Sequence, residues 1–302
     1  LTVIASFRTD PHPIPTPAYQ FENLHSFTLH CPEVAPVDKH NDFLSQTLAL
    51  ILAMSPSLTT LTLHSSMKII SCLRTLIVPL IQSSCPQLTR FRICRGPRDD
   101  SSTSQNASSV NSQLLMHLLA HIPNLISLEV SVEEGSFWRD DAFQPADTPE
   151  CIPSVLEMAG KKNTMRELVL PIRWKGGDSS VEGLTRIAEL APQLEKVTLT
   201  VDPSLPLNAS SGSSHATISH SASHLTHLTI RDPWMRRADH ALPGLERQKE
   251  VARLLHSSFP KLEKLTVVDD RGWEDVEGDR TIWWRDVRWF ILDLREQDAR
   301  NM

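Results

Sequence analysis

One short phrase returns eight times along the chain: an apolar residue, usually Leu, then two residues, then apolar-x-apolar. The copies begin at Leu24 (LHSFTL), Leu58 (LTTLTL), Leu88 (LTRFRI), Leu125 (LISLEV), Met165 (MRELVL), Leu194 (LEKVTL), Leu225 (LTHLTI) and Leu262 (LEKLTV). Successive copies lie about 29 to 40 residues apart. Such spacing, irregular but without a missing beat, belongs to a stack of small units that each bury an apolar face on a neighbour. In the tail of each phrase apolar and polar residues alternate with period two, which predicts a short strand buried on one side.

Segments with helical spacing lie between the phrases: Leu44, Leu48, Ile51 and Leu52; Leu115, Leu118, Leu119 and Ile122; Leu184, Ile187, Ala188 and Ala191; Val251, Leu254 and Leu255. Five connections carry a proline just ahead of the strand, at Pro56, Pro86, Pro123, Pro192 and Pro260. Proline has no amide hydrogen and biases the preceding residue away from helical geometry, so it stops each helix at a fixed distance from the strand. The repeating unit therefore reads helix, Pro, x, Leu, strand. Strands that follow one another through helical crossovers run parallel, and strand on one side with helix on the other bends a stack into an arc.

In this arrangement the chain resembles the leucine-rich-repeat family, in its long, irregular form. The fold class expected is an α/β solenoid of about eight irregular repeats, with a parallel concave sheet and helices on the convex side. The phrases with Pro ahead of them (SPSLTTLTL, CPQLTRFRI, IPNLISLEV, APQLEKVTL, FPKLEKLTV) are most similar to the repeat region of fungal F-box proteins. The resemblance covers roughly residues 20 to 270. It departs from the family pattern at the Asn or Cys usual after the strand, and at Met165, which replaces Leu.

Leu1, Thr2, Val3 and Ile4 match Leu265, Thr266, Val267 and Val268 almost letter for letter, so the chain is expected to open inside a strand, truncated at its N-terminal side. The resemblance to F-box proteins implies adaptor-docking helices upstream of such repeats; no Leu-Pro-led segment of that kind occurs here. The solenoid is expected over 1–280, with polar, Ser-rich mobile insertions at 96–109 and 202–223 that bury too little apolar surface to offset their ordering entropy. Ile282, Trp283, Val287, Phe290, Ile291 and Leu294 share helical spacing and predict a C-terminal capping helix over 281–302. Acidic Asp286, Asp293 and Glu296 argue against that helix lying on a membrane.

The formal charge of -6 over 302 residues provides no general basic field, which disfavours sequence-independent binding to nucleic acid. No run of about eighteen apolar residues could cross a bilayer. Cys31, Cys72, Cys85, Cys94 and Cys151 have no paired spacing and suit free thiols in a reducing compartment, the cytoplasm or nucleus. The sequons at Asn106 and Asn208 would matter only in a secreted protein.

Candidate chemistry is thin. His215, His220, His224 and His227 lie close in sequence but match no standard metal spacing, and solvated loop histidines are the better reading. There is no GxSxG nucleophile elbow, and the run from Lys175 to Ser180 lacks the spacing of a phosphate-binding loop. Asp140 and Asp141 would point to opposite sides of an extended chain and do not form a glycosidase pair. The sequence therefore predicts no enzyme, no cofactor and no metal.

Function is left to surfaces, and the register says which residues form them. With the fourth and sixth residues of each phrase facing the core, the third and fifth face outward on the concave sheet. The third column reads Ser26, Thr60, Arg90, Ser127, Glu167, Lys196, His227, Lys264, and the fifth Thr28, Thr62, Arg92, Glu129, Val169, Thr198, Thr229, Thr266. β-branching alone accounts for the threonines. Arg90, Arg92, Glu129, Glu167, Lys196, His227 and Lys264 are the candidate partner-binding residues, although opposite charges among them could simply pair with one another. A second candidate surface is a rim of Trp138, Trp174, Trp234 and Trp273, each following a phrase and set among charged residues, a composition that interfaces favour and that core-covering indoles would share.

The expected function is a protein-protein interaction scaffold. By resemblance it would be the substrate-recognition part of an F-box-type ubiquitin ligase subunit, reaching the ligase adaptor through a region outside this sequence. The alternative is a secreted or cell-surface repeat receptor that binds its ligand directly.

Overall fold

Strand boundaries follow the repeated phrase closely. The computed structural model describes residues 2–4, 21–30, 48–65, 78–95, 112–132, 151–170, 181–201, 223–232, 243–268 and 279–301. These fall into two compact units, Leu1–Gln144 and Pro145–Met302.

The first unit holds five strands: β1 (Thr2–Ile4), β2 (Ser26–His30), β3 (Thr60–Ser65), β4 (Arg90–Arg95) and β5 (Ser127–Val132). They pair parallel in chain order. Helical residues 48–53 precede β3, helix α1 (Val78–Ser84) precedes β4, and α2 (Ser112–His121) precedes β5. The second unit holds α3 (Cys151–Gly160), β6 (Glu167–Val169), α4 (Val181–Leu190), β7 (Lys196–Thr200), β8 (His227–Arg231), α5 (Leu245–Ser258), β9 (Lys264–Val268) and α6 (Asp279–Asn301). Strands β6 to β9 again pair parallel in chain order. Each unit is thus α/β, with parallel strands alternating with helices.

Strands β2 to β9 all begin at the third residue of their phrase. The fourth and sixth residues are buried in all eight copies, from Phe27 and Leu29 to Leu265 and Val267. The leading residue is buried too, Met165 as fully as the leucines, except Leu24, which is half-buried. Thr2 pairs with Thr28 in the β1–β2 register, in line with the fifth column of the neighbouring strands.

The prolines act through a defined turn. The N–H groups of Leu58, Leu88, Leu194 and Leu262 donate to the carbonyls of Ser55, Cys85, Ala191 and Phe259, three residues earlier. Pro56, Pro86, Pro192 and Pro260 therefore each occupy the second position of a β-turn, where a fixed φ is already correct. The residue ahead of each proline also closes the helix: the N–H groups of Cys85, Ala191 and Phe259 donate to the carbonyls of Ile81, Ile187 and Leu255. The same turn forms without proline at Lys162–Met165 and Phe21–Leu24.

Beyond the turn, one carbonyl in each repeat ties the next repeat in place. The His25 carbonyl accepts from Thr59 and Thr60, that of Thr59 from Thr89 and Arg90, that of Arg166 from Glu195 and Lys196, and that of Thr226 from Glu263 and Lys264. Where the second residue of the phrase is threonine, its hydroxyl donates to the same carbonyl, at 2.9 Å for Thr59, 3.2 Å for Thr89 and 3.1 Å for Thr226. This ladder fixes the register at the strand entrance, before the main sheet pairing begins.

The residue ahead of the proline sits in a buried slot held by Ser55, Cys85, Ile122, Ala191 and Phe259. Lys162, half-buried in the same slot, has its ammonium pKa lowered by desolvation. The Cys85 thiol donates weakly to the carbonyls of Leu52, at 3.4 Å, and Ser55, at 3.6 Å. Burial pushes its pKa up to about 11, from 9.0 for a free thiol. Because only the thiolate is a good nucleophile, Cys85 is expected to resist iodoacetamide at pH 8 and to react once denaturant opens the first unit. The folded pKa lies above the unfolded one, so this contribution to stability is complete below pH 9.0 and is lost as pH rises to about 11. Cys85→Ser should therefore show a shallower stability decline across that window than the parent. An equal decline in both would mean that the slot does not desolvate the thiol.

Several expectations need correction. Ile282 does not join the buried face of α6; it is exposed, while Trp283, Trp284, Val287 and Ile291 are buried and Phe290 and Leu294 half-buried. Leu292 and Trp289 share the exposed side, because the inner face of this helix is centred on Val287, about 140° round from Ile282. Ser223, placed at the end of the second insertion, is buried, and its hydroxyl accepts the N–H of Leu225. Residues 96–109 and 202–222 lie outside the described residues.

Candidate interaction surface

The outward columns are built by strand pairing alone, so their side chains stand in rows across the strands of each unit. In the first unit Ser26, Thr60, Arg90 and Ser127 form the third column, and Thr28, Thr62, Arg92 and Glu129 the fifth. In the second, Glu167, Lys196, His227 and Lys264 stand in one row, and Val169, Thr198, Thr229 and Thr266 in the next. Ser26, Arg90, Arg92, Lys196 and Lys264 are exposed; most others are half-buried because neighbouring side chains in a row cover one another. Ser127 departs from the pattern and is buried.

Of the charges expected to meet across strands, Arg92 and Glu129 do: the guanidinium Nε lies 3.0 Å from the carboxylate Oε1. Half of Arg92 faces solvent, so the pair adds less than about 1 kcal/mol and serves mainly to orient two long side chains. Arg90 stands between Thr60 and Ser127 and has no ion-pair partner among the described residues. Glu167 and Lys196 are register partners, yet no ion pair joins them. One residue earlier, Arg166 and Glu195 do pair, at 3.3 Å. Lys196, His227 and Lys264 make a row of two ammonium groups flanking an imidazole, whose Nδ1 is 2.9 Å from the Thr226 hydroxyl.

The strands run further than the phrase, which creates a row the sequence reading missed. His30, His64 and Cys94 occupy the seventh position on adjacent strands. The two imidazoles stack with centroids 3.9 Å apart and planes 16° apart, and Cys94, buried and in no disulfide, is next in the row. The signal was available, since seven of the eight phrases are followed by one more strand residue; β6 ends at Val169.

The four candidate rim residues, Trp138, Trp174, Trp234 and Trp273, lie outside the described residues. So do His215 and His220; His224 is exposed, and among the described residues no cluster of His, Cys, Asp or Glu could hold a metal ion. Cys85 and Cys94 are buried and in no disulfide, while Cys31 and Cys72 lie outside the described residues. Among the described residues no helix is long and apolar enough to cross a membrane.

The chain matches no protein-family model and no curated protein.

Proposed function

We propose that this chain is the recognition part of a leucine-rich-repeat protein, a non-catalytic scaffold whose outward strand columns bind a protein partner. In this reading it selects substrates for an F-box-type ubiquitin ligase in the cytoplasm or nucleus, and adaptor docking belongs to a region outside this sequence. The observation that carries it is the strict register of two outward columns in each unit. That register lines up Arg90 and the Arg92–Glu129 pair in the first unit and Glu167, Lys196, His227 and Lys264 in the second. A rigid ladder of this kind positions polar side chains without reorganisation, which lowers the entropic cost of binding. The ligase role rests on the similarity of the Pro-x-Leu strand phrases to fungal F-box proteins, since a fold does not fix a function.

The test is isolation of the full gene product from cells with and without proteasome inhibition, beside a variant carrying R90E, K196E and K264E. All three side chains are exposed, so folding should be unchanged. A substrate is expected to accumulate on inhibition, to co-isolate with the ligase adaptor, and to bind the variant at least about tenfold more weakly. Undiminished binding to the variant would remove the columns as the recognition surface. Absence of the adaptor from every isolate would remove the ligase role.

A further inference from the structure

Across strands β7, β8 and β9 the outward positions carry no acid. The third column is Lys196, His227 and Lys264, the fifth is Thr198, Thr229 and Thr266, and the next outward residues in register are Thr200, Arg231 and Val268. Lys196 and Lys264 are exposed and have no ion-pair partner among the described residues. The acids nearest in sequence, Glu195 and Glu263, come one residue before the lysines, at the strand entrance. Glu195 is held by Arg166 at 3.3 Å, and neither acid joins a lysine of the row. Glu167 closes the row on β6, one strand beyond Lys196, and forms no ion pair with it.

Hydrogen bonding fixes how His227 enters this row. The Thr226 hydroxyl donates to the Glu195 carbonyl at 3.1 Å, so toward His227 Nδ1, 2.9 Å away, it can only accept. Nδ1 therefore carries the proton, and in the neutral ring Nε2 is the bare nitrogen; it makes no hydrogen bond among the described residues. Adjacent strands lie about 4.8 Å apart, which sets one lysine on each side of the imidazole. A second proton, at Nε2, would put three cationic donors side by side on a face that has no carboxylate to balance them. An anion laid over His227 supplies that balance and favours the charged ring.

We propose, resting on the reading of the outward columns as the recognition surface, that this row seats a carboxylate from an acidic segment of the protein partner, and that His227 Nε2 takes up a proton from solvent as the carboxylate binds. The carboxylate accepts from the imidazolium, and the two lysines reach it from either side on flexible stems. Binding and protonation are linked, so affinity falls as pH rises through the range in which a histidine loses its charge. Lysine and glutamate keep their charges across that range.

The test is isothermal titration of the purified chain with hexaglutamate, at about pH 6 and pH 8 and one ionic strength, beside H227Q and K264E, with circular dichroism to confirm folding. The parent is expected to bind at least about fivefold more tightly at the lower pH. H227Q should bind equally at both, and K264E at least about tenfold more weakly than the parent at both. A pH ratio that persists in H227Q would overturn the proposal, as would parental affinity in K264E or no saturable binding up to about 5 mM hexaglutamate. So would a phosphoserine peptide of the same length that binds more than about tenfold tighter, which would assign the row to phosphate. None of these readouts involves the ligase adaptor. Peptide binding as expected, with the adaptor missing from every isolate, would therefore remove the ligase role and leave the carboxylate site standing.

Discussion

Replacing Trp284 with alanine is expected to lower the unfolding free energy of the second unit by about 4 kcal/mol. Trp284 is among the largest fully buried side chains, 1 % exposed, with Trp283 edge-on at a centroid distance of 4.9 Å. Its indole Nε1 is 3.1 Å from Asp232, a fully buried carboxylate just after β8 whose own N–H donates to the carbonyl of Val268, the last residue of β9. Alanine would both open a cavity and strip a donor from a buried carboxyl group, and each of these is costly. Trp284→Phe separates the two, since it retains most of the ring while losing the N–H; about 2 kcal/mol is expected for it. Urea denaturation followed by far-ultraviolet circular dichroism measures both. A loss under about 1 kcal/mol in Trp284→Ala would mean that α6 is not seated on the unit as described.

Gly160→Ala should cost more than any ordinary alanine substitution on a helix, by about 3 kcal/mol or more. Gly160 ends α3 where that helix meets the end of α4, and an added Cβ would fall inside the Leu190 carbonyl group, 2.9 Å from its carbon and 3.4 Å from the Ala191 Cα. The obstacle is backbone, which cannot rotate away as a side-chain tip could. Leu190 and Ala191 lead directly into the turn that sets Leu194 and strand β7, so the strain would spread into the strand ladder. Alanine is ordinarily the better helix former by about 1 kcal/mol, so a stabilised Gly160→Ala variant would show that the two helices do not approach this closely.

The repeats were legible because strand burial and turn chemistry are local. Alternation around Leu61 and Leu63, or Leu228 and Ile230, needs only the period of a strand, and Pro-x-Leu needs only a fixed φ and a missing N–H. Helix α1 was harder to see, because Pro79 interrupts the apolar run from Leu73 to Ile81. In the fold Pro79 is the second residue of that helix, in the first turn, where no intrahelical donor is required. Helix α3 hid in the same way behind Pro153. The Lys162–Met165 turn had no proline to announce it and forms because Met165 must still enter the core.

The candidate surface was legible only in part. Periodicity indicated which residues of each strand face outward, since successive side chains must alternate, and it placed Arg92 beside Glu129 once strands were taken to be parallel and adjacent. It could not decide that Arg92 and Glu129 pair while Glu167 and Lys196 stand apart, which depends on rotamers and on what crowds each row. Nor could it show that Ser127 would be covered.

Taken alone, the sequence determined the strand positions, their parallel order within each unit and the identity of the two outward columns, because these follow from period, chirality and the geometry of the proline turn. The tertiary structure decided which face of α6 is buried, which thiol is silenced and where a glycine is indispensable. Those outcomes depend on what each residue meets from distant parts of the chain: Asp232 for Trp284, the Leu52 carbonyl for Cys85 and the Leu190 carbonyl for Gly160.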